Sequence, residues 1–200
     1  MAKRFKQVVF TLLALSAFSG AAEAHTGHGA TMGFAAGFLH PLSGLDHLLA
    51  MVTVGLLAAR MGGKALWAVP AAFVGMMVVG GALGMNGFSL PMVEFGIAAS
   101  VIVLGAAVAL DFSLPISATI GLVGFFAIFH GHAHGSEIPL AASGLSYGFG
   151  FAMATALLHC MGMGLGLSIM RATGSRSSGI VKVAGAAMAA AGVGLMAGVI

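Results

Sequence analysis

Six apolar stretches account for almost everything after residue 32: roughly 33–59, 65–84, 91–110, 115–133, 140–169 and 180–199. About 20 residues cross the hydrocarbon core of a bilayer, so each stretch is long enough to span it. Inside lipid an open segment must satisfy its own backbone hydrogen bonds, which leaves the helix as its form. The expectation is therefore an all-α membrane protein, a six-transmembrane helix bundle. Composition closes off the soluble alternative. Only 6% of residues are charged and mean hydropathy is +1.08, against about 25% charged in soluble domains. So few charges cannot cover a water-facing surface. The 32 glycines suit close helix packing in lipid. Gly80–Gly84, Gly144–Gly148 and Gly194–Gly198 have the spacing that brings two helices together.

Residues 1–24 read as a signal peptide, removed from the mature chain. Lys3, Arg4 and Lys6 precede an apolar run from Val8 to Phe18, and Ala22-Glu23-Ala24 fits the small-x-small cleavage pattern. Residues 25–32 are expected to form a periplasmic N-terminus holding His25 and His28, and 33–200 one six-helix transmembrane domain. Export of the N-terminus turns the breaks at 60–64, 111–114 and 171–179 inward. The remaining basic residues Arg60, Lys64, Arg171, Arg176 and Lys182 all lie in or beside these breaks, as the positive-inside rule requires. Both mature termini are then expected in the periplasm of a bacterial inner membrane. No basic patch with interleaved aromatics occurs, so nucleic acid is not an expected partner. The partners expected are a metal ion and the lipid bilayer, with homo-oligomerisation left open.

Ionisable side chains at membrane depth are costly and mark function. His40-Pro41-Leu42-Ser43-Gly44-Leu45-Asp46-His47 lies in the first stretch. His40 and His47 are two helical turns apart, hence on one face, unless Pro41 breaks the span or starts a new helix there. Neutral imidazole suits Ni, Zn, Cu or Fe, and a carboxylate compensates the ion's charge. Asp46 is either such a ligand or the partner that orients an imidazole. A plainer reading is a His–Asp pair that locks two helices. A second cluster, His130-Gly131-His132-Ala133-His134-Gly135-Ser136-Glu137, ends the fourth stretch. His130 and His134 are i, i+4 and can chelate one ion. His132 points elsewhere if the helix continues to 134, and Glu137 lies just beyond the end. The alternative is a His-rich interfacial loop.

Other residues stand singly. Glu94 lies near the outer end of the third stretch and can face the same vestibule. His159 and Cys160, with Met161 and Met163, offer soft donors toward the inner half of the fifth stretch, as a way-station for a transition metal or as plain packing. His25 and His28 form a weak capture site or an unconstrained terminus. Asp111 reads as a solvated loop carboxylate. The single cysteine excludes an intramolecular disulfide.

His40-Pro41-x-x-Gly44-x-Asp46-His47, followed by Met51 and Gly55, resembles the signature of the HupE/UreJ nickel permeases. Phe125-Phe126-Ala127-x-Phe129-His130-Gly131-x-Ala133-His134-Gly135-x-Glu137 is similar to that family's second signature. The resemblance implies uptake of Ni²⁺, as cargo and not prosthetic group, for hydrogenase or urease maturation. It implies a site made of His40, Asp46, His47, His130, His134 and Glu137. Co²⁺ and Zn²⁺ are the alternatives, because ligand type alone does not separate these ions. An intramembrane metal hydrolase is the rival class, but no H-E-x-x-H or G-x-S-x-G motif occurs, so no enzyme is expected.

Overall fold

The computed structural model describes residues 29–138, 143–175 and 178–200. The proposed signal peptide, His25, His28, Pro139 and Arg176 lie outside the described residues. Every regular element among those described is helical: α1 (Gly29–Ser43), α2 (Leu45–Met61), α3 (Ala65–Met85), α4 (Val93–Ala109), α5 (Ile116–Ser136), α6 (Gly144–Thr173) and α7 (Gly179–Met196).

Four of these, α3, α5, α6 and α7, are long and apolar enough to cross a membrane, and the bent pair α1–α2 makes a fifth if taken as one span. The expected span not among these falls on α4, which is apolar but shorter than α3, α5, α6 and α7. That segment is a helix of 17 residues, about 25 Å at 1.5 Å per residue, short of a core of about 30 Å. Pro91 and a left-handed Met92 (φ 57°) hold back its start, and Leu110 ends it.

The first stretch is also not one helix. It bends by 81° between α1 and α2, and the break is at Gly44 rather than at Pro41, which lies inside α1. Gly44 takes an extended conformation and α2 restarts behind it, with the Leu48 N–H donating to the Gly44 carbonyl at 3.0 Å. A Cβ on Gly44 would lie 2.8 Å from the Asp46 carboxylate and 3.2 Å from His47 Nδ1. Only a bare backbone leaves room for those two side chains to fold back over the bend.

α2 is the central post. Every residue from Ala50 to Arg60 is buried, while large apolar side chains elsewhere, such as Trp67, Phe149 and Val183, point outward. α3 and α5 pack backbone to backbone. Gly131 and Gly135 face the carbonyls of Met77 and Gly81, where any Cβ would collide. Gly80 and Gly84 take part in the same contact, but Gly148 and Gly198 meet nothing within 4 Å. Of the three glycine pairs expected to pack helices, only Gly80–Gly84 does so with both residues. Because Gly131 and Gly135 face α3, His130 and His134, one residue back on each turn, are turned about 100° away from it.

At the far end of α2, Arg60 is buried and donates to Asp111 Oδ1 and to the Phe112 carbonyl, both at 2.6 Å. Lys182 on α7 approaches the second Asp111 oxygen at 3.6 Å. Asp111, read from sequence as a solvated carboxylate, is thus the joint between three segments. It adopts φ 58°, a left-handed conformation that Asp tolerates better than most residues.

Candidate metal site

The 81° bend decides the geometry. His40 ends α1 and His47 starts α2, so the expectation that they share one helical face is replaced by two helix ends meeting around α5. The two sequence motifs form one cluster. The His40 ring lies 4.5 Å from that of His134, His134 lies 4.3 Å from His47, and His47 lies 4.8 Å from His130. His134 therefore touches both sides. Phe151 of α6 walls it in at 4.0 Å.

At the exposed end, His40, His134 and Glu137 each bring one ligand atom to within 4.8 Å of the others. His40 Nε2 stands 4.0 Å from the Glu137 carboxylate. Deeper in, His47 and His134 are buried and His130 is fully so. The free nitrogens can be assigned. His47 Nδ1 is 2.7 Å from Asp46 Oδ1, and the carboxylate can only accept, so Nδ1 carries the proton and Nε2 has the lone pair. His130 Nε2 is 2.9 Å from Ser100 Oγ. The single Ser100 hydroxyl proton already goes to the Ile97 carbonyl at 2.6 Å. Ser100 must then accept from His130 Nε2–H, leaving the lone pair on His130 Nδ1. His47 Nε2, His130 Nδ1 and both His134 nitrogens are buried with no hydrogen-bond partner. An orphaned buried polar atom costs about 1–3 kcal/mol, and three imidazoles so placed fit the donor set of a borderline transition metal. Asp46 and Ser100 fix the tautomers of His47 and His130, as hydrogen-bond partners of metal-binding imidazoles commonly do.

The remaining candidates separate. Glu94 lines a cavity of about 230 Å³ with Asp46, Phe95 and Ala98, and none of the clustered histidines lines it. His132 turns away, its Nε2–H donating to the Phe88 carbonyl at 2.6 Å. His159 is buried, 5.1 Å from Phe73. Cys160 is exposed and shares no site with it. Sequence reasoning missed Ser100, Phe73 and Phe151, which are unremarkable residues in apolar spans until the packing is seen.

The family described as "HupE / UreJ protein" matches residues 13–195. Protein HupE of Rhizobium leguminosarum bv. viciae is 47% identical over 144 residues, which cover 72% of this chain and 74% of the relative. No solved structure matches. Paired motifs that fold into one imidazole cluster, a match over nearly the whole length and a close relative agree, and the chain belongs to the HupE/UreJ family.

Proposed function

We propose that this protein is a bacterial inner-membrane permease that imports a divalent transition metal, Ni²⁺ before Co²⁺ or Zn²⁺, for hydrogenase or urease maturation. The observation that carries the reading is the set of buried, unpartnered imidazole nitrogens on His47, His130 and His134, backed by the Asp46 carboxylate. The ion is first met at the periplasmic side by His40, His134 and Glu137. Edge-to-face contacts through His134 give a short transfer to His47 and His130, where ring nitrogens replace hydration water. Donors shared between neighbouring positions keep any one of them from holding the ion too well, as conduction requires. The cluster serves binding and passage; no residue is assigned to catalysis. Family membership supports nickel and the link to hydrogenase or urease.

The test is uptake of radioactive nickel by cells expressing the wild type or His47→Ala, with Co²⁺ and Zn²⁺ as competitors. Wild-type uptake at least tenfold above the variant is expected, and equal uptake refutes the reading. Competition by excess Co²⁺ or Zn²⁺ as strong as that by unlabelled Ni²⁺ removes the preference for nickel.

A further inference from the structure

One buried imidazole plays no part in this passage. His159 on α6 is fully buried, and neither ring nitrogen has a partner. Leucine or phenylalanine would pack there without two orphaned polar atoms, each of which costs about 1–3 kcal/mol. The neighbouring buried hydroxyl does not relieve it, because Thr155 turns toward Met77 Sδ at 3.6 Å.

Its position is defined from three helices. On α6 it comes eight residues after Phe151, whose ring touches His134, or about 12 Å along the axis. On α2, Gly55 packs against the His159 carbonyl, eight residues beyond His47. Both displacements run toward the end holding Arg60 and Arg171. On α3, Phe73 is fully buried, with its ring 5.5 Å from that of His130 and 5.1 Å from that of His159.

We propose that His159 is a second contact for the transported divalent metal, a single-imidazole stop one step inward of the His47–His130–His134 cluster, with the Phe73 ring as the partition between them. The proposal rests on the permease reading. A lone imidazole leaves most of the ion's coordination to water, so the ion binds weakly and leaves easily. His159 meets the Phe73 ring edge-on and His130 lies tilted against the same ring, so rotation of one aromatic side chain joins the two positions. Cys160 is exposed and cannot substitute.

The test uses the purified full-length protein in liposomes, with Ni²⁺ influx followed by quenching of an enclosed metal-sensitive dye, and Ni²⁺ affinity measured by equilibrium dialysis. His159→Phe keeps an aromatic ring and removes both nitrogens; His159→Leu serves where Phe does not fold. His159→Cys restores one donor of different softness. Expected for His159→Phe or Leu is Ni²⁺ affinity within twofold of wild type and influx at least tenfold slower. Expected for His159→Cys is partial recovery of influx, together with block by Cd²⁺ at concentrations that leave the wild type unaffected. Wild-type influx in the Phe or Leu variant, or a Cys variant no better than Phe and insensitive to Cd²⁺, overturns the proposal. A wild-type protein that carries no metal overturns the permease reading instead.

Discussion

Replacing Ser100 by Ala removes one oxygen atom from α4, and its effect can be worked out atom by atom. Ser100 is fully buried and accepts the His130 Nε2 proton at 2.9 Å while its own proton goes to the Ile97 carbonyl. Without that acceptor the ring N–H is unsatisfied in either tautomer, because Nδ1 is also buried without a partner, so the metal-free protein loses stability. Metal binding needs Nδ1 bare, and Ser100 is the group that holds the proton on Nε2. An unsatisfied buried donor costs about 1–3 kcal/mol, and the loss of an outer-shell partner typically weakens metal binding about 10–100-fold. At about 1.4 kcal/mol per factor of ten the second figure is about 1.4–2.8 kcal/mol of binding, whereas the first falls on the fold. The expected outcome is Ni²⁺ affinity reduced about 10–100-fold, measured by titration calorimetry in lipid nanodiscs, together with a lowered melting temperature. Ser100→Thr keeps the hydroxyl and should recover most of the affinity. An Ala variant that binds within twofold of wild type, or a Thr variant as weak as Ala, refutes the tautomer assignment.

Other perturbations follow from the same geometry. Gly131→Ala puts a methyl group against the Met77 carbonyl and should cost about 1–3 kcal/mol in thermal unfolding, whereas Gly75→Ala, with nothing within 4 Å, should gain up to about 1 kcal/mol. Asp111→Asn strips the charge from the partner of buried Arg60 and should cost about 1–3 kcal/mol, an effect reduced in an Arg60→Met background, where only Lys182 still faces the carboxylate. His132→Ala loses the tie to Phe88 and should lower the melting temperature while Ni²⁺ affinity stays within twofold. A protonated imidazole has no lone pair at that nitrogen, so uptake should weaken, and never strengthen, as external pH is lowered; uptake that rises with acidity would contradict imidazole capture.

Much of the site could be read from the chain because lipid makes polar residues conspicuous. His40, Asp46, His47, His130, His134 and Glu137 each stood out as a cost in an apolar segment, and helical spacing put His130 and His134 on the face that meets His47 and turned His132 away. Glycine was harder to interpret. A break in the first stretch was expected at Pro41, yet the 81° bend falls at Gly44 and places His40 against His134 instead of in line with His47. Ser100 carried no signal, since a hydroxyl in a span can satisfy itself on its own backbone, as its bond to Ile97 shows. Its second bond, to His130, depends on how α4 meets α5, and spacing within one segment does not encode that. The inner loops read as solvated because charge in a break usually is; Arg60 proved buried because α2 ends inside the bundle.

The enclosure of α2 sets the order in which the protein can be made. This helix carries Asp46, His47, Thr53 and Arg60 on a surface that other helices cover, and it is synthesised before most of them. The last residue of α6 emerges about 110 residues after the end of α2, roughly 6–20 s at ordinary rates of synthesis. Through that interval α1, α3 and the insertion machinery must shelter an arginine and a carboxylate–imidazole pair from acyl chains. The late helices thus act as the lid that completes assembly, and a chain cut short after α5 would present its most polar helix to the bilayer and to the proteases that patrol it.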